Sequence, residues 1–206
     1  MKEKWILPTL IGVFFALSRW PGVLPWNLSA AYALFFCAGA FRKQFPLWFP
    51  FVALFLSDLG LNLFYYRVAP ISAYALVTYL SFLCLYLLGR SFKPSNPWWK
   101  LASGGVLGAL LFYLISNTAS WLYNPMYAKT FQGWLQALSV GEAGWPQTWM
   151  FFRNTLLGGG LFTALFSLAF QSSLAKQEEE EAEELEETEV ETSRETDGEL
   201  EPEEAT

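Results

Sequence analysis

Histidine is absent from this chain of 206 residues. That excludes His-ligated metal sites, Ser-His and Cys-His catalysis and histidine proton relays together. Cysteine is almost absent. Cys37 and Cys84 both lie inside apolar blocks, where a small packing residue is the ordinary reading and a disulfide or redox pair the unusual one. Acids are scarce over most of the chain: residues 1–177 hold only Glu3, Asp58 and Glu142, against twelve Lys and Arg. Asp58 therefore has no second carboxylate for paired acid–base work and no acid cluster for a divalent metal. No ATP-binding loop is present. The expectation is a chain without enzyme activity, cofactor or nucleic-acid partner.

Apolar residues are what the chain has in plenty: 53% are hydrophobic and 18% aromatic. They come in blocks, which is the signature of membrane-spanning helices. The expected fold class is all-α: an integral membrane bundle of six transmembrane helices over residues 1–175, followed by a disordered acidic tail over 176–206. The first block runs from Trp5 to Leu17, behind a charged start. A signal peptide would also begin this way, and Ala16-Leu17-Ser18 would pass for its cleavage site; a retained first helix is the reading taken. Gly12 and Ala16, four apart, form a small-residue face for another helix. A Pro/Gly loop over 18–27 leads to a second helix, with Pro25 in its first turn, ending near Phe41. The third block is 46–66, the fourth 71–89, the fifth 101–123 with Gly104, Gly105 and Gly108, and the sixth 145–170 with Gly158-Gly159-Gly160. Such glycines loosen a helix or admit a close neighbour. Between the fifth and sixth, Tyr127 to Val140 reads as a short interfacial helix, with Phe131, Trp134, Leu135 and Leu138 at the lipid boundary.

Charge sets the orientation. Six spans put Lys2, Lys4, Arg42, Lys43, Arg90, Lys93, Lys100 and Lys176 at one end and Arg19, Arg67 and Lys129 at the other. The positive-inside rule then places both termini on the cytoplasmic side of the cell inner (plasma) membrane. Residues 178–206 hold sixteen acids and one Arg. That density of like charge predicts disorder or a transient helix, repelled by anionic lipid.

Asp58 is the one acid deep inside a span, and Arg153 the one cation. A carboxylate at that depth costs at least about 2.5–3.5 kcal/mol and needs a partner. Asn62 is one turn on, on the same face. With the topology above, Asp58, Asn62, Asn117, Arg153 and Asn154 fall in one outward layer on three helices. The plain reading is an Asp58–Arg153 salt bridge that pins two helices. The functional reading is a polar pocket open to the outside. In it these five residues bind a solute, between aromatic walls made by Trp121, Trp149, Tyr65 and Trp134.

The order of these features resembles the S component of an energy-coupling factor transporter: six helices, both ends inside, a short first loop and a long aromatic outer connection before the last helix. The segments PGVLPWNLSAAYALFFCAGAF, PFVALFLSDLGLNL, YLISNTASWL and MFFRNTLLGG, within about residues 19–170, resemble more closely an uncharacterised bacterial membrane family to which a transport role is ascribed. The resemblance implies an S-component-like bundle that captures a vitamin or related solute from the outer side. It also implies a transmembrane coupling subunit with two ATPases as partners. S components carry an Ala-xxx-Ala face on the first helix, for which Gly12-xxx-Ala16 is the nearest match here. The missing histidine argues against the cobalt and nickel members. The alternative is a membrane scaffold or assembly protein that acts through its acidic tail.

Overall fold

A computed structural model describes residues 5–71 and 74–198, with side chains through residue 189. Among the described residues every regular element is a helix: α1 Ile6–Ser18, α2 Ala31–Ala40, α3 Trp48–Gly60, a π-helix Leu61–Tyr66 that continues α3, α4 Ala75–Gly89, α5 Trp98–Tyr123, α6 Phe131–Leu138 and α7 Thr148–Gly198. Proline marks several starts. Pro8 and Pro50 lie in the first turns of α1 and α3, and Pro97 caps α5, where a missing N–H costs no helical hydrogen bond. Asn124, extended and followed by Pro125, ends α5.

Three helices are long and apolar enough to cross a membrane: α3 with its π extension, α5 and α7. The helices α2 and α4 are shorter than the spans expected of them, while α1 matches its short apolar block. The helices α1, α2 and α4 have 13, 10 and 15 residues, below the roughly 20 that a full crossing needs. For α2 the reason is its setting. All ten of its residues are buried, so protein rather than lipid surrounds it, and irregular backbone at its ends is tolerated. Pro25 is not in its first turn. Asn27 takes a left-handed conformation, and the Ser18 hydroxyl accepts a hydrogen bond from the Ala30 N–H, so the helix begins later than predicted.

The chain divides into two units, 1–169 and 170–206. In the first, α2 lies at the centre. A Cβ on Gly39 would land on the Tyr86 carbonyl oxygen, and one on Gly89 would land on that of Phe36. Thus α2 and α4 touch backbone to backbone, the close approach that glycine alone allows. Phe35 stacks on Phe82 at 4.6 Å between ring centroids, in a contact class worth about 0.5–1.5 kcal/mol beyond area. The α5 glycines do as expected. Gly104 faces the rings of Phe36 and Phe92, Gly108 faces Leu85, and Gly105 meets the backbone of Gly159. The run Gly158-Gly159-Gly160 admits neighbours without breaking α7. Gly12 packs on the Phe49 ring, while Ala16 is exposed.

Run directions follow from these pairs. The contacts Trp5–Trp48, Gly12–Phe49 and Trp20–Tyr65 make α1 and α3 parallel. Tyr32–Phe82 and Gly39–Gly89 make α2 and α4 parallel. Phe82–Phe112 and Leu85–Gly108 set α5 antiparallel to α4, and Gly105–Gly159 and Tyr113–Phe152 set α7 antiparallel to α5. Large apolar side chains such as Leu10, Leu56, Phe64, Leu76, Leu157 and Leu161 are exposed. Long apolar helices with an oily exterior are the features of a membrane protein.

The connection 124–147 holds the short helix expected there. Thr130 caps α6 by accepting from the Gly133 N–H. Phe131 and Leu135 are exposed one turn apart, Gly133 and Ala137 are buried, and Trp134 donates to Thr118 at 3.0 Å. Lys129 donates to the Trp121 and Asn124 carbonyls at the end of α5, where a cation complements the helix dipole. Burial first, and the Glu142 carboxylate second, push the Tyr127 hydroxyl above the ordinary tyrosine range.

In the second unit α7 runs on to Gly198, over residues for which disorder or a transient helix is expected. Glu, Ala and Leu are strong helix formers. A helix already nucleated upstream extends without the cost of a first turn. Lys176 and Glu180 add one pair at 3.6 Å along the helix. Residues 199–206 of the expected tail, and Lys2 and Lys4, lie outside the described residues.

Candidate functional site

Asp58 is held in the last turn of α3, half-buried, and its partner is Arg19. Arg19 Nη2 lies 2.6 Å from Asp58 Oδ1, and the two side chains are 22% and 23% exposed. Arg19 is the first residue past α1. Because α1 runs parallel to α3, its end arrives level with the last turn of α3. The guanidinium also lies over the Phe15 ring, 5.7 Å from its centroid, a favourable placement for a cation. The hydroxyl of Tyr79, from α4, donates to Asp58 Oδ2 at 3.3 Å. A carboxylate, a guanidinium and a phenol from three helices thus share one point.

Directly after Asp58 the helix widens into its π segment, a feature that often accompanies functional sites. Asn62 lies there. Its carbonyl accepts from the Val68 N–H at 3.0 Å, and its Nδ2 donates to the Pro70 carbonyl at 2.9 Å. Arg67, left-handed, ends the segment. Asn62 therefore anchors the loop between α3 and α4. Arg19, Asp58, Asn62, Tyr79 and this loop line a cavity of about 500 Å³, whose remaining walls include Phe55, Ile71 and Leu76. Its size and its mix of apolar walls with a few polar groups suit a small ligand.

A second cavity, of about 340 Å³, is lined by uncharged groups including Asn27, Tyr74, Ser116, Asn117 and Thr148, and shares Thr78 with the first. Most of its donors are already used. Tyr74 donates to the Ser116 carbonyl, Tyr113 to that of Leu138, and Ser116 and Asn117 to that of Tyr113.

The single outward layer expected from the sequence is thus divided. Asp58 and Asn62 share one cavity, and Asn117 lines the other. Arg153 does not pair with Asp58. It is exposed on the second turn of α7, where Nε donates to Asn154 Oδ1 at 3.4 Å. A position that near a helix end lets a long cation reach the interface. Asn154 donates to the Trp26 carbonyl at 2.8 Å and so holds the first loop. Trp121 donates to the Ala128 carbonyl at 2.8 Å, and Trp149 to Gln147. Arg153, Asn154, Trp121 and Trp149 line neither cavity. Nor do the other two expected wall residues: Tyr65 meets Trp20 edge to face and Trp134 bonds Thr118. Arg19 and Tyr79 were missed in the sequence. The signal for Arg19 was present: it is the only cation of the first loop, at the end toward which α3 carries Asp58. Tyr79 had none, since nothing in its spacing separates it from the other aromatics of α4.

The chain belongs to a family of unknown function, DUF6580, whose profile matches residues 1–182. No curated protein and no solved structure matches it.

Proposed function

We propose that this chain is a membrane transport subunit that binds a small solute in the Arg19–Asp58–Tyr79 cavity. The observation that carries the reading is an ion pair placed in the wall of a ligand-sized cavity. A pair that serves only to pin helices needs no space beside it. All six apolar helices cross the membrane in this reading, the three short ones with help from flanking residues or a locally thinner bilayer. The run directions support six crossings: α1 parallel to α3, α2 parallel to α4, and α5 antiparallel to both α4 and α7. So does the gathering of Arg42, Lys43, Arg90, Lys93 and Lys100 at the end opposite Arg19, Arg67 and Lys129. By the positive-inside rule the basic end is cytoplasmic, and the cavity opens toward the outer face. Energy for transport then comes from a partner, such as the coupling subunit and ATPases of the S-component resemblance, or from an ion gradient.

Native mass spectrometry of the full-length protein tests this. A bound small mass in the wild type, missing from folded Arg19→Gln and Asp58→Asn variants and retained by Arg153→Gln, is the expected result. A wild type free of solute, or one whose bound mass survives both cavity substitutions, overturns the assignment.

A further inference from the structure

Resting on that solute-binding reading, we infer that the cavity takes a small zwitterion with an apolar body, its anionic group on Arg19 and its cationic group on Asp58. The pair leaves one side of each partner over. Arg19 Nη2 is committed to Asp58 Oδ1, yet the side chain keeps 22% of its surface exposed and lines the cavity. A guanidinium carries five N–H donors, more than one carboxylate uses, and a second carboxylate is the acceptor that fits its fork best. On the other side, Asp58 Oδ2 has the Tyr79 hydroxyl at 3.3 Å, long for an O–H···O bond. A carboxylate oxygen with room for a further donor can take an ammonium.

Charge balance narrows the class. Arg19 and Asp58 already neutralise each other. A purely anionic or purely cationic solute would bring an uncompensated charge into a site with low-dielectric walls, which is expensive. A zwitterion adds no net charge. Its two ends extend the ion pair into a ring of four alternating charges, and the Arg19–Asp58 bond stays intact. Phe55, Ile71 and Leu76 then receive the apolar remainder. The second cavity offers no such opening, since it holds no charged residue.

Calorimetric titration of the full-length protein in lipid nanodiscs tests the inference. The probes are valine, leucine, methionine and phenylalanine, each beside the matched acid that lacks the ammonium and the matched amine that lacks the carboxylate. For leucine these are isocaproate and isoamylamine. At least one amino acid is expected to bind about tenfold or more tighter than either of its halves, since each lost half removes a charge-assisted hydrogen bond. Arg19→Gln should lower that amino acid to the affinity of its amine, and Asp58→Asn to that of its acid. An acid or amine that binds as tightly as its parent overturns the inference. So does a failure of all four amino acids while the Asp58-dependent mass of the native spectra persists; the solute-binding reading then stands with another solute class. Failure of both measurements removes the two together.

Discussion

Two helix contacts in the first unit show opposite ways of joining apolar segments. Helices α2 and α4 meet through Gly39 and Gly89, backbone on backbone, with stacked phenylalanines alongside. Helices α1 and α3 meet through side chains: Trp5 on Trp48, Gly12 under Phe49, and at one end Arg19 on Asp58. Inside a bilayer the hydrophobic effect gives little preference for protein over lipid, so helix association there depends on close packing or on polar bonds. The first contact uses packing and has no spare volume. The second uses a polar bond and leaves a cavity beside it. A contact that is full can only hold the fold, whereas one with an ion pair and space can also hold something else.

The contrast breaks most severely at Gly89. In Gly89→Val the new Cβ meets the Phe36 carbonyl, part of a helix buried on every side. The α2 backbone has no free direction in which to retreat. The expected loss is about 3 kcal/mol or more, read as a fall in the yield of monodisperse protein and in its melting temperature. Solute binding would fall only in proportion to the folded fraction.

Asp58→Asn should separate the two contacts in the other direction. It leaves Arg19 half-buried without a counter-charge, at a cost of about 1–3 kcal/mol. The bound solute should vanish from protein that remains folded. Combining it with Arg19→Gln should cost less than the sum of the single changes, because the pair is lost only once. Additive losses in thermal melts would show that the two side chains act independently.

Thr163 sharpens the packing side. It is fully buried beside Gly105, and its hydroxyl has no partner among the described residues. Thr163→Val keeps the shape and removes the unpaired oxygen. Stability should hold or rise by up to about 1 kcal/mol. A loss above that size in the same melts would reveal a hydrogen bond that the hydroxyl makes in the membrane.

The sequence made the apolar blocks legible, because blocks of that length are a one-dimensional signal. It also marked Asp58, because an acid within an apolar run stands out locally. It did not mark the acid's partner. Asp58 and Arg153 were matched by depth, but depth says nothing about which face of a helix a residue occupies or which helices adjoin. The adjacency of α1 and α3 depends on Gly12 under Phe49 and on the paired tryptophans, contacts that no periodicity reveals. The short lengths of α2 and α4 were hidden because apolar loop residues extend each block, whereas α1 is no shorter than its apolar run. In the tail, charge density left disorder and a transient helix both open, and the helix propensity of the same glutamates favours the helix that forms.

Arg153→Gln makes the finest cut, because its expected effect is close to nothing. As the partner of Asp58 it would be indispensable, and its loss would match that of Asp58→Asn. As an exposed cation on the second turn of α7 that donates to its neighbour Asn154, it should change stability by less than about 0.5 kcal/mol and leave the bound solute in place. Its neighbour provides the control. Asn154 ties the first loop to α7 through the Trp26 carbonyl, so Asn154→Ala should cost more than Arg153→Gln in the same melts, in the range of one ordinary hydrogen bond, about 1 kcal/mol. If Arg153→Gln instead removed the solute, the polar layer would extend from α3 to α7. The boundary between the cavity that binds and the helices that only pack would then lie on the far side of α7.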